Sequence, residues 1–337
     1  MNSIERVVTT LGGGTPDRVP VIAQVFGHAA GVGGESLALY LRDGKIFARC
    51  QIAALERYEY DAVFALMDAS VETEAVGSTL AWHEGRYPVV ASYALQDARH
   101  LGRLRQPDPE RDGRMPELLR AARILREEVG DETLVVGCVL GPLTIAAQML
   151  GMEKALYLAV DDPERFEAVL DFATSVAIAF GRAQLDAGVH LPVVFDPASS
   201  PAVVPPRYFR EVELPRLRDL FSALRTGGSA ASWLHIVGPV APILPLFPEA
   251  GVEIANFDYP VDADEAMRAL PETCLDGNIK SLSFVTASPE AIAREAGALI
   301  DAFSGRGRFI LSSGCEIPLE AKEENVAAMV GAVRGSV

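Results

Sequence analysis

A histidine and a cysteine eighty positions apart, His235 and Cys315, carry the most chemical potential in this chain. His235 sits in the run WLHIVG at 233–238 and Cys315 in SSGCEIP at 312–318. In each, an apolar segment with the character of a buried strand ends on a residue able to bind a metal or move a proton. Polar residues close the other apolar runs too: Gln24 near the end of VPVIAQV and His28 after it, Asp68 after AVFALM, Thr144 and Gln148 after TLVVGCVL, and Asp196 after HLPVVF. Asp258 follows VEIANF, Asn278 falls in TCLDGNI, and Glu316 is next to Cys315. An acid straight after an apolar strand is costly unless it is used or caps a helix. Proton transfer, metal ligation and orientation of a polar small molecule are therefore the chemistries to expect. Plainer uses stand beside these: DPAS at 196–199 is an ordinary turn and helix start, Asn278 can cap the next segment, and Gln148 can face a helical shell.

The elements that must position these residues come next. Strand-like runs fall at 19–25, 62–66, 133–140, 190–195, 231–237, 252–257, 273–279 and 308–313. Helical spacing appears at 36–58, 115–128, after 144, and at 163–186, 206–225, 263–269, 289–303 and 322–333. Eight strands, nearly all followed by a helix, predict parallel pairing and a closed (β/α)8 TIM barrel, an α/β fold whose active residues gather at the C-terminal strand ends. Residues 71–105, with WHEGRYP at 82–88, read as a hairpin inserted after the second strand. No linker splits the chain, so one domain over 1–337 is expected. An open doubly wound sheet is the alternative, but it needs a glycine-rich turn after its first strand, and VFGH at 25–28 does not supply one. The glycines at 12–14 precede a strand and lack a following Lys-Ser/Thr, which makes them a turn rather than a phosphate loop.

Composition narrows the function classes. With 337 residues, 49% of them hydrophobic, the chain can bury a large core. A net charge of −16 disfavours nucleic acid and anionic membranes, leaving a small molecule or a protein as partner. The apolar runs fall well short of the roughly 20 residues a membrane span needs. The N-terminus carries no secretory pattern, so a cytoplasmic location is expected. Four cysteines without a CxxC pair argue against a disulfide framework or zinc ribbon, and Cys50, Cys138 and Cys274 are assigned to packing. His83 and His100 are assigned to the surface.

Taken together, MDASVETEAVG at 67–77, GPLT at 141–144, DPAS at 196–199, HIVG at 235–238, GNI at 277–279 and SGCEIP at 313–318, with Glu324 and Asn325, resemble the uroporphyrinogen decarboxylase superfamily, specifically its corrinoid-dependent methyltransferase branch of the methylcobamide:coenzyme M type. The likeness runs from about residue 2 to 335. It implies a barrel that moves a methyl group between a small molecule (a methoxy or methylamine compound, or a thiol) and the cobalt of a corrinoid held by a partner corrinoid protein. It further implies zinc on His235, Cys315 and Glu316, catalytic roles for His235, Asp68 and Asp196, and substrate contacts from His28, Gln148 and Asn278. The chain departs from both branches. The paired arginines that decarboxylases carry after the first strand are missing from QVFGHAA at 24–30, the family tyrosine falls on Gln148, and the late histidine on Cys315. The His-x-Cys motif of the methyltransferases ends here on Val237. A zinc site would then need an oxygen donor from Glu316, Asp196 or Asp68, or a nitrogen from His28, which tilts the expectation toward a demethylase. A lyase acting on a smaller carboxylated substrate, with Asp68 stabilising a developing cation, and a non-catalytic binding member of the family are the alternatives.

Overall fold

The computed structural model describes residues 1–334. Its strands, in chain order, are β1 (Ala62–Ala65), β2 (Thr79–His83), β3 (Arg86–Ser92), β4 (Leu134–Leu140), β5 (Leu191–Phe195), β6 (Trp233–His235), β7 (Ile254–Asn256), β8 (Cys274–Ile279) and β9 (Phe309–Ser313). Seven of them form one parallel sheet in the order β1-β4-β5-β6-β7-β8-β9, while β2 and β3 pair antiparallel as a separate hairpin. Helices cover the outer face of the sheet. That is why β4 and β9 are buried at every position, and why β4 reads as a nearly continuous apolar run.

The expected strand at 19–25 is corrected: it makes only one bridge, Val21 to Leu311. Pro20 has no N–H to give a ladder, and the Val25 N–H turns back onto the Ala23 carbonyl at 2.7 Å, bending the chain. The segment still lies between the two edge strands. Leu311 N–H donates to Pro20 O at 2.9 Å, Ile22 N–H to Leu311 O at 3.0 Å, and Asp61 N–H to Val21 O at 2.7 Å. Asp61, buried at the N-terminal end of β1, fixes this arrangement by accepting from Val21 N–H at 2.7 Å, Arg6 Nη1 at 2.6 Å and Arg18 Nη1 at 2.7 Å. Such a cluster at the end opposite the C-terminal rim serves stability.

The helix expected over 36–58 is two helices, Leu37–Tyr40 and Gly44–Tyr58. Asp43 adopts an extended backbone between them, and its carboxylate caps the second by accepting from Lys45 N–H at 2.8 Å and Ile46 N–H at 3.0 Å. Pro163–Asp186 is long and apolar enough to cross a membrane by length and composition alone, yet half of its apolar window is buried, with Phe166, Leu170, Ala177 and Phe180 facing the protein. Two apolar layers result. One lies inside the sheet and contains Phe26, Phe64, Val136, Val193 and Trp233; the larger one lies between sheet and helices and contains Val63, Val135, Val139 and Val194.

Candidate active site

A cavity of about 630 Å³ opens where β1, β4 and β5 end, roofed in part by the hairpin through Tyr87, Pro88 and Val90. Five of the expected residues line it: Asp68, Thr144, Gln148, Cys315 and Glu316. Asp68 leaves β1 three residues after its last paired position, Ala65, and is wrapped by donors. Arg114 holds it through Nη1 and through Nη2 at 3.1 Å, and Ser70 gives it a backbone N–H at 2.8 Å and its hydroxyl. Arg114 also reaches Glu74 at 2.6 Å and lies 4.9 Å from the Trp82 ring of the hairpin. Gln148, on the helix Pro142–Leu150, accepts from Thr73 Oγ1 at 2.9 Å.

Glu316 accepts from the Tyr87 hydroxyl and more loosely from Gly27 N–H at 3.4 Å. Burial pushes its carboxyl up to about 7. Glu72 completes the acidic set. Its Oε1 accepts from Leu140 N–H at 2.7 Å, and burial likewise raises it to about 7. Burial raises the Cys315 thiol to about 12. At neutral pH the cavity therefore presents a protonated thiol and two carboxyls poised between acid and base.

His235, Asp196, His28 and Asn278 do not line the cavity, and each has a structural reason. His235 is paired in register with Phe195 and lies against its ring, centroid to centroid 4.3 Å, so that Phe195 and Val237 face the cavity in its place. Burial alone lowers its pKa to about 3, and Nε2 has no hydrogen-bond partner. Asp196 is consumed by helix capping: Oδ1 accepts from Thr144 N–H at 2.9 Å and Thr144 Oγ1 at 2.6 Å, and Oδ2 from Ser199 Oγ at 2.6 Å. Gly141 makes this fit possible, since a Cβ there would stand 2.3 Å from the Asp196 side chain. His28 lies between two partners, Leu319 O at 3.3 Å from Nδ1 and the Tyr58 hydroxyl at 2.9 Å from Nε2. A carbonyl only accepts, so Nδ1 donates and Tyr58 donates to Nε2. Asn278 donates to Val261 O at 2.8 Å and ties down the loop after β7.

Zinc does not fit the residues present. Among the described residues, no three His, Cys, Asp or Glu side chains converge as a ligand group. Of the expected set, His235 is behind Phe195, Glu316 is committed to Tyr87 and Gly27, and the neighbouring family cysteine position is Val237.

Glu72, Tyr87 and Arg114 are missing from the sequence-based candidates. Glu72 lies within the motif at 67–77 and was legible there. Tyr87 needs the hairpin to fold over the cavity, and Arg114, just before the helix Met115–Val129, has nothing local that ties it to Asp68.

The chain belongs to the uroporphyrinogen decarboxylase (URO-D) family, whose model matches residues 2–336. Methylcobamide:CoM methyltransferase MtaA of Methanosarcina barkeri is 29% identical over 65% of this chain, a match spanning 63% of that relative, under two thirds of its length. Uroporphyrinogen decarboxylase of Syntrophotalea carbinolica is 27% identical over 86% of this chain and 83% of its own length. A solved methyltransferase from Methanosarcina mazei superposes with a TM-score of 0.90 over 99% of this chain and 98% of that one, at 25% identity. The relatives are thus methyltransferases and decarboxylases, and enzymatic activity is the family's common property.

Proposed function

We propose that this protein is a corrinoid-dependent methyltransferase that takes a methyl group from a small donor and passes it to the cobalt of a corrinoid carried by a partner protein. The observation that carries this reading is the character of the cavity: apolar and aromatic walls, with no lysine, arginine or histidine among its lining residues. A tetrapyrrole bearing many carboxylates needs cationic partners. The nearby arginine, Arg114, is spent on Asp68 and Glu74. The same pairing weakens the lyase reading, because Asp68 is already neutralised by a guanidinium and is not free to meet a developing cation.

The corrinoid supplies a strongly nucleophilic metal centre when bound. In the transfer, the bond between methyl carbon and heteroatom would break with its electron pair staying on the heteroatom, and the methyl would pass to a reduced corrinoid held by the partner as a two-electron nucleophile. This chain contributes exclusion of water by Phe26, Val139 and Phe195, orientation by Gln148, and two carboxyls, Glu72 and Glu316, able to meet the heteroatom as hydrogen-bond donor or as anion. The test is ultraviolet-visible spectroscopy of cob(I)alamin with the protein and a panel of methyl ethers, methylated amines and methylated thiols. Appearance of the methylcobalamin spectrum with one donor class supports the reading; no change with any donor overturns it.

A further inference from the structure

Resting on that reading and naming its donor, we infer that the cavity binds a methylated ammonium cation, with the N-methyl groups against aromatic faces and the charge facing Glu72 and Glu316. Three independent features converge on this chemistry. First, four aromatic rings line the space: Phe26 and Phe195, packed edge to face at 5.8 Å, with Tyr87 and Tyr93. Ring faces attract quaternary ammonium groups, and most strongly where water is excluded. Tyr87 is held in place because its hydroxyl accepts from Gly27 N–H at 2.8 Å and donates to Glu316.

Second, Glu72 is 3% exposed and lines the cavity, where its Oε1 accepts from Leu140 N–H at 2.7 Å. A carboxylate charge buried at a cavity wall is costly, and a cation in the cavity reduces the cost. Third, no basic side chain lines the walls, so an anionic donor or acceptor meets uncompensated acids while a cation meets complementary ones.

The chemistry agrees with the ligand set. Methyl ethers need a proton or metal on oxygen before they leave, and thiols need a metal or base to form thiolate. A quaternary ammonium needs neither: the C–N bond breaks, nitrogen keeps the electron pair and departs as a neutral tertiary amine, and the methyl forms its new bond with the pair supplied by cobalt(I). A site whose zinc donors are dispersed is suited to such a donor.

The experiment compares three probes of similar size by calorimetry on the full chain: choline, its neutral isostere 3,3-dimethylbutan-1-ol, and the anion isethionate. Choline is expected to bind about tenfold or more tightly than the neutral isostere, as a desolvated cation–π contact supplies. Isethionate is expected not to bind. Tyr93, 38% exposed at the mouth, gives a variant that does not endanger folding. Tyr93→Ala should weaken choline binding roughly threefold to thirtyfold, while Tyr93→Phe retains it. Glu72→Gln should reduce the preference for choline over the neutral isostere, leaving the part that the rings and Glu316 supply. Equal binding of choline and isostere, tighter binding of isethionate, or no binding of choline overturns the inference. If choline fails while a methyl ether or thioether methylates cob(I)alamin, the cation site is wrong and the methyl-transfer reading stands. If choline binds selectively but no donor methylates cob(I)alamin, the cation site stands and methyl transfer is wrong.

Discussion

Arg114 grips Asp68 across 46 positions of sequence, its Nη2 3.1 Å from Oδ1, while its Nε lies 2.6 Å from Glu74 Oε2. One guanidinium thus fixes the chain leaving β1, the helix Val71–Val76 and the start of Met115–Val129, and the first two of these line one side of the cavity. Removing the cation leaves a buried carboxylate without its partner. Arg114→Met should cost about 3–5 kcal/mol of stability in urea unfolding. Adding Asp68→Asn to that variant should recover much of the loss, because the stranded charge goes with it.

Stability should fall between pH 6.5 and pH 8. Burial raises the carboxyls of Glu72, Glu316 and Asp276 to about 7 and that of Asp196 to about 6, and raises Glu213 as well. Unfolded carboxyls titrate near 4, so above that pH the native protein holds protons the unfolded chain has released. The stability this represents is complete below about pH 4 and is lost as pH rises through the folded values. The buried histidines act oppositely: His235, lowered to about 3, and His28 and His190, also lowered, cost stability below about 6.5, where only the unfolded chain is protonated. Above 6.5 that opposition fades as the unfolded imidazoles lose their protons, and is smaller than the carboxyl effect. Each carboxyl near 7 should then remove roughly 0.8 kcal/mol by pH 8. Thermal melts at the two pH values measure the slope, and Glu72→Gln should make it shallower.

Cys315 should behave as an unreactive thiol. Pushed up to about 12 by burial, it has a thiolate fraction at pH 8 roughly a thousandfold below that of an ordinary cysteine. Iodoacetamide labelling followed by mass spectrometry should find it modified correspondingly slowly. Zinc content measured by elemental analysis should be well under one per chain and the same in Cys315→Ala; stoichiometric zinc lost with that substitution would restore the ligand role.

Asp196 should matter for folding more than for chemistry. Asp196→Ala strands the Thr144 N–H, the Thr144 hydroxyl and the Ser199 hydroxyl in a buried place, a loss of about 2–4 kcal/mol in urea unfolding. Asp196→Asn, which keeps an acceptor, should lose less. Turnover per folded molecule should be retained in both, since the side chain does not face the cavity.

The strands themselves were legible because each is a short apolar run bounded by turn residues, and a parallel sheet sends all its C-terminal ends to one face. That rule placed Asp68, Cys315 and Glu316 at the same cavity without any knowledge of their contacts. Where local rules competed, the sequence misled. Residues 36–58 keep helical spacing through Asp43, yet that residue caps a new helix, and 19–25 is apolar enough for a strand but carries Pro20.

The sequence by itself determined the order of elements and the residue types at the strand ends, since both follow from patterns a few residues long. Only the tertiary structure decided which of those residues line the cavity. His235 and Asp196 end their strands as expected, but Phe195 covers the first and the capped helix Pro142–Leu150 consumes the second. Strands buried on both faces carry no sequence mark of depth, and long side chains such as Arg114 and Tyr87 reach their partners only after elements far apart in sequence have packed.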